Sequence, residues 1–153
     1  VPEQSKSEPL SVLVVVDDDA AGTLLHRLIG EQGWDVHLTH DAVGAIVELE
    51  QPDPPYAAVV LDLDIASGTS SVKALADIRR IPGDVARVPV VVCSWGEDDR
   101  PKPWMNGADG HLVRPFHASV LHTALVDAIE RPDSQREDHR KRQLGLPAPP
   151  APD

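Results

Sequence analysis

Asp62 stands at the end of an uninterrupted apolar run, residues 57–61, and a second acid, Asp64, follows two positions later. A Val/Leu run of this kind, without alternation, suits a strand covered on both faces, so its abrupt end brings a carboxylate to the edge of a sheet. Val12 to Val16 repeats the pattern and ends in Asp17, Asp18 and Asp19. A carboxylate at such an edge is costly to desolvate unless a cation meets it. Acids converging at neighbouring strand ends also raise one another's pKa unless a metal ion binds. Two further runs end in polar groups: Val88 to Cys93 leads into Ser94, and Ala108 to Val113 leads into Arg114. By residue type alone, Ser94 is a turn former or a hydroxyl donor, and Arg114 is a salt-bridge partner for one of the acids or a cation for an anionic group.

The elements that position these residues alternate in type. After the first strand, Ala21, Leu24, Leu25, Leu28 and Gln32 fall on helical spacing, Asp18 or Asp19 caps the helix, and Gly33 stops it. Val36 and Leu38 alternate with polar residues, the pattern of an edge strand with one solvated face. Asp41 caps a second helix whose inward stripe is Val43, Ile46 and Val47, ended by the proline cluster at 52–55. A third helix turns Val72, Leu75, Ala76 and Ile78 inward, with Arg79 and Arg80 at its C-terminus. Pro101 and Pro103 predict that any fourth helix is short or starts late. The last helix puts Val120, Leu121, Ala124, Leu125, Ala128 and Ile129 on one stripe. Residues 1–9 are expected to be a loose leader and 131–153 a charged, then Pro-rich tail, within which 134–144 allows a transient helix without an apolar face.

The chain has 153 residues, enough for one domain with a real core. Fourteen Lys plus Arg against twenty-five Asp plus Glu give a net charge of −11, which argues against direct nucleic-acid binding. The single Cys93 reads as a small core residue and allows no internal disulfide. With no basic-apolar signal pattern and no membrane-length apolar run, the expected compartment is the cytoplasm. His26, His37, His40, His111, His117, His122 and His139 show no zinc-ligand spacing. Trp34 and Trp104 are expected as partial core or interface residues.

Asp17-Asp18, Asp62, Ser94 and Arg114-Pro115-Phe116, each at the end of its strand, together resemble the receiver domain of two-component response regulators over residues 10–130. The resemblance implies an α/β fold, a flavodoxin-like doubly wound five-stranded parallel sheet of order 2-1-3-4-5, with its site where strands one and three diverge. It implies Asp62 as phospho-acceptor and Mg²⁺ as cofactor. Asp18 and Asp62 would be direct ligands, Asp17 would act through water, and the Asp64 backbone carbonyl would complete the set. Ser94 would donate to a phosphoryl oxygen, and Arg114 would take the place of the family's lysine. A sensor histidine kinase or phosphotransfer protein is the implied donor, with a downstream protein or a second copy of the chain as further partner. The domain would be a signalling module rather than a turnover enzyme. The Arg114-Pro115 bond is expected to be cis, as the equivalent bond commonly is in receivers.

The departures from the pattern carry their own expectations. Receivers usually have Lys at Arg114, a small residue at Trp95, Tyr or Phe at His111, and Pro and Gly at Ala66 and Ser70. Arginine keeps the charge but not the compact ammonium geometry, and an indole beside Ser94 could cover the acceptor. A degenerate receiver, a phosphorylation-independent interaction module, is therefore the second reading. A third is enzymatic, since Asp62-Leu63-Asp64 is similar to the nucleophile motif of haloacid-dehalogenase-type phosphatases. In that family the further acidic pair lies downstream, whereas here it precedes.

Overall fold

The computed structural model describes residues 9–51, 56–63, 70–94 and 101–145. In chain order the elements are β1 (Ser11–Val16), α1 (Asp19–Gly30), β2 (Asp35–Thr39), α2 (Ala42–Leu49), β3 (Ala58–Asp62) and α3 (Ser71–Arg79). A 3₁₀ turn (Asp84–Arg87), β4 (Val90–Ser94), α4 (Pro101–Met105), β5 (Gly110–Val113), α5 (Ala118–Glu130) and α6 (Asp133–Gln143) complete them. All neighbouring strands are parallel and their order is β2-β1-β3-β4-β5, the doubly wound arrangement expected from the sequence.

The uninterrupted Val/Leu runs are explained by two cores, one on each face of the sheet. Leu13, Val15, Val59, Leu61, Val90 and Val92 face α2, α3 and α4, while Val12, Val14, Val60, Val91 and Cys93 face α1 and α5. Strand side chains alternate in direction, so burial of every β1 and β3 residue requires cover on both sides. Cys93 is buried, as expected, and burial pushes its thiol pKa up to about 12.

The helices depart from the sequence reading in their rotation. In α2 the inward residues are Ala45 and Leu49, flanked by Ala42 and Ile46; Val43 and Val47, assigned to the stripe, are 73% and 51% exposed. The helix is apolar on nearly every side, so periodicity could not select a face, and the sheet takes the arc that allows closest approach. In α1, Leu25, Ile29 and Gly22 are buried while Leu24 points outward, and Gln32 lies exposed beyond the helix end. A Cβ on Gly22 would sit 3.1 Å from Val16 Cγ1, so this glycine lets the helix lie against β1. Ala74 replaces Ala76 in the buried stripe of α3, and Val120 lies outside that of α5. α4 is short, as its prolines required.

The segment read as tail holds α6. It has no apolar face, as the sequence indicated, and it docks by charge instead. Arg136, 7% exposed, donates from Nε to Asp109 Oδ1 at 2.8 Å and from Nη2 to Asp109 Oδ2 at 2.9 Å. Arg79 Nη2 reaches the same Oδ2 at 2.9 Å and Arg140 Nη2 reaches Oδ1 at 3.2 Å. Asp109 also accepts from Val90 N at 2.9 Å, so one buried carboxylate ties α3, β4 and α6 together. His139 stacks edge-on against the buried Trp104 of α4.

Candidate functional site

Strand register builds the site. Val16 pairs with Asp62, so Asp17 and Asp18 follow immediately beyond the end of β3; Ser94 pairs with Val113, and Arg114 N donates to Ser94 O at 2.8 Å. Asp17, Asp18, Asp62, Ser94 and Arg114, all selected from the sequence, thus gather at the C-terminal edge of the sheet, where the strand order diverges at β1 and β3. Asp64 and Trp95, like Ala66, lie outside the described residues.

Asp62 is 8% exposed, and Arg114 grips it with both arms: Nη1 to Oδ1 and Nη2 to Oδ2, each 2.6 Å. This is the fork-to-fork geometry that suits a guanidinium to a carboxylate. The guanidinium carbon also lies 5.3 Å from the centre of the Phe116 ring, a contact the sequence reading did not assign. Arg-Pro-Phe was visible as a triplet, but ring and cation meet only through the fold. The Arg114-Pro115 bond is cis.

Burial raises the Asp62 pKa above its ordinary value; Arg114 pulls it back, while the negative charges of Asp17 and Asp18 push it up again. Both acids therefore lie within electrostatic reach. Asp18 is exposed and caps α1, its Oδ2 accepting from Ala21 N at 2.8 Å. Ser94 is half-buried, and its hydroxyl meets His111 Nε2 at 2.8 Å. Ser70, where the family usually has Gly, caps α3 by accepting from Lys73 N at 3.0 Å. Ser71 Oγ accepts from Leu63 N at 2.9 Å, fixing the chain just after Asp62.

The donor set has the chemistry a hard divalent cation needs, acidic oxygens from two adjacent strands. Each Asp62 oxygen accepts one bond from the guanidinium and Asp18 Oδ2 accepts its cap bond, so a cation here would share carboxylates that already have partners. Among the described residues no group of three His, Cys, Asp or Glu side chains is placed to hold a metal. None of the helices described is long and apolar enough to cross a membrane.

This fold, with acids at the ends of β1 and β3, defines a receiver-type domain, the class found in response regulators. No protein-family model matches the chain. It is 34% identical over 125 residues to the transcriptional regulatory protein CpxR homolog of Haemophilus influenzae, covering 80% of this chain and 51% of that one. It is 28% identical over 130 residues to the transcriptional regulatory protein TrcR of Mycobacterium tuberculosis, covering 84% of this chain and 48% of that one. The chain thus spans about half the length of these curated relatives. Among solved structures, the receiver domain of the sensor histidine kinase PA1611 from Pseudomonas aeruginosa matches with a TM-score of 0.68 at 23% identity, covering 79% of this chain and 98% of that one. That structure holds a magnesium ion in its active-site cleft.

Proposed function

We propose that this domain accepts a phosphoryl group on Asp62 in a two-component relay in the cytoplasm, from a phosphohistidine of a sensor kinase or phosphotransfer protein. The observation that carries the reading is the position of Asp62, at the tip of β3 in register with β1 and within reach of Asp17 and Asp18, inside a receiver-type fold. The donor's P–N bond breaks and a P–O bond forms to the Asp62 carboxylate, leaving an acyl phosphate. Mg²⁺, held by the Asp18 and Asp62 side chains, the Asp64 backbone carbonyl and Asp17 through water, would supply the positive charge that offsets the phosphoryl oxygens.

The chain's own residues set what must move. Both Asp62 oxygens are engaged by Arg114, and attack on a phosphorus atom is easier once the guanidinium gives up at least one of its two bonds. Ser94 has to turn its hydroxyl away from His111 Nε2, 2.8 Å distant, to donate to a phosphoryl oxygen. Arg114, once displaced, is a cation for the new phosphate, and Ser94 is its hydroxyl partner. The resting domain is therefore held by two contacts that both have to open, and slow phosphorylation is the expected consequence.

The grip of Arg114 on Asp62 also favours a second reading, an interaction module that works without phosphate. Incubating the domain with acetyl phosphate and Mg²⁺, and following acyl-phosphate formation by intact mass, separates the two. Label in the wild type that is absent in Asp62→Asn, and forms faster in Arg114→Lys, supports the acceptor. An unlabelled wild type and an unlabelled Arg114→Lys together would leave the interaction module.

A further inference from the structure

Strand register puts Ser94 and His111 on one face of the sheet. Val92 pairs with His111, and Ser94 with Val113. Residues paired across a ladder share a face, as do alternate residues of one strand, so Val92, Ser94 and His111 all lie on the side covered by α3 and α4. There the Ser94 hydroxyl oxygen is 2.8 Å from His111 Nε2. Both residues are half-buried, so the fold holds the contact while water still reaches the ring.

One hydrogen lies between these two atoms, and the state of the ring decides which atom supplies it. A neutral imidazole protonated on Nδ1 has a bare Nε2, which accepts from the Ser94 hydroxyl. An imidazolium carries hydrogen on both nitrogens and accepts nothing, so Nε2–H donates to Ser94 Oγ and the hydroxyl proton turns to another acceptor. The change adds one proton from water, and no other covalent bond forms or breaks. Imidazole undergoes it at about pH 6.5, whereas a phenyl ring never does and a phenol ionises only at about pH 10. Among the described residues, the titratable side chains on elements packed against β5 are the buried Cys93 of β4, Lys102 of α4 and, on the other face, His122, Asp127 and Glu130 of α5. Asp109 and Arg114, which flank β5, are bound to Arg136 and Asp62.

We propose that His111 is a positioning residue whose charge sets the direction of the Ser94 hydroxyl. Neutral, it takes the hydroxyl's hydrogen bond at Nε2; protonated, it turns the hydroxyl proton toward a phosphoryl oxygen on Asp62, so that phosphorylation is favoured in mildly acid conditions. The inference rests on the phospho-acceptor reading of Asp62.

The test compares acyl-phosphate formation from acetyl phosphate and Mg²⁺ at about pH 5.5 and about pH 8, on either side of the imidazole range, in wild type, His111→Phe, Ser94→Ala and the double variant. Effects of acid on Asp62 and on the donor are common to all four, so the rate of wild type relative to His111→Phe isolates the ring. That ratio is expected to rise about fivefold from the higher pH to the lower, the worth of one hydrogen bond, and to stay flat on the Ser94→Ala background. A flat ratio with Ser94 present overturns the proposal and leaves the acceptor standing; no label in any of the four at either pH overturns both. Ring-nitrogen NMR of the wild type gives a second check that needs no phosphate. His111 is expected as the Nδ1–H tautomer at the higher pH, and an Nε2–H tautomer there would overturn the proposal, because the ring would then donate to Ser94 at every pH.

Discussion

Arg114 and Asp62 lie 52 residues apart in the chain and are joined by two hydrogen bonds of 2.6 Å, with only 11% and 10% of their side chains exposed. One side chain therefore supplies the positive charge that the acids at this edge require. A lysine could make one such contact at a time, whereas the planar fork engages both oxygens together. Both oxygens are therefore engaged, and in the proposed phosphotransfer the pair has to open first.

Arg114→Ala should expose that dependence. With the guanidinium gone, Asp62 is a buried acid beside Asp17 and Asp18, and breaking such a pair costs about 3 kcal/mol. The variant is expected to unfold at lower temperature than wild type in EDTA and to recover with millimolar Mg²⁺, while wild type responds little. Thermal melts of both proteins with and without the cation check this; a variant indifferent to Mg²⁺ would contradict it.

The raised pKa of Asp62 has a definite sign in stability. Between the unfolded value, about 3.9, and the higher folded value, the folded protein holds more protons than the unfolded chain. Stability from this group is therefore greatest below that window, falls as pH rises through it, and reaches its floor above. Urea unfolding across mildly acid pH should show this downward contribution in wild type and lose it in Asp62→Asn. Parallel pH profiles for the two proteins would count against it.

Asp109→Asn should be the most damaging single substitution outside the site. It removes the one negative charge shared by Arg79, Arg136 and Arg140, and an expected loss of about 3–5 kcal/mol follows from leaving these largely buried guanidinium groups without their common carboxylate. α6 should undock first. Amide exchange across 133–143 is expected to accelerate before the rest of the domain loosens, and full protection of α6 in the variant would show that charge does not hold it.

Gly107 has φ +100°, and a Cβ there would lie 3.0 Å from Arg79 Nε, which itself donates to Gly107 O at 3.1 Å. Gly107→Ala combines a strained backbone with displacement of that arginine, for an expected loss of about 1–3 kcal/mol. Gly145→Ala, also at positive φ but with open space around it, should cost less. Denaturation midpoints for the two variants measure the difference.

The parallel sheet and its acid-tipped edge were legible in the sequence because a strand buried on both faces must be written as unbroken Val and Leu, and the run ends where cover ends. Val12 to Val16 and the run before Asp62 carry that signature, and Asp18 and Asp41 announce their helices because orphan N–H groups demand a short acceptor. The rotation of α2 was not legible. Ala42, Val43, Ala45, Ile46, Val47 and Leu49 are apolar on several sides, and only the sheet chooses among them. The docking of α6 was hidden for the opposite reason, since its buried anchor is Arg136, a residue type whose burial pattern signals nothing until Asp109 is found opposite it. The pairing of Asp62 with Arg114 was one of two readings open to the sequence. Which one holds depends on distances between strands far apart in the chain, and local pattern carries no information about those; tertiary structure places the guanidinium against the carboxylate and so decides that Asp62 is paired.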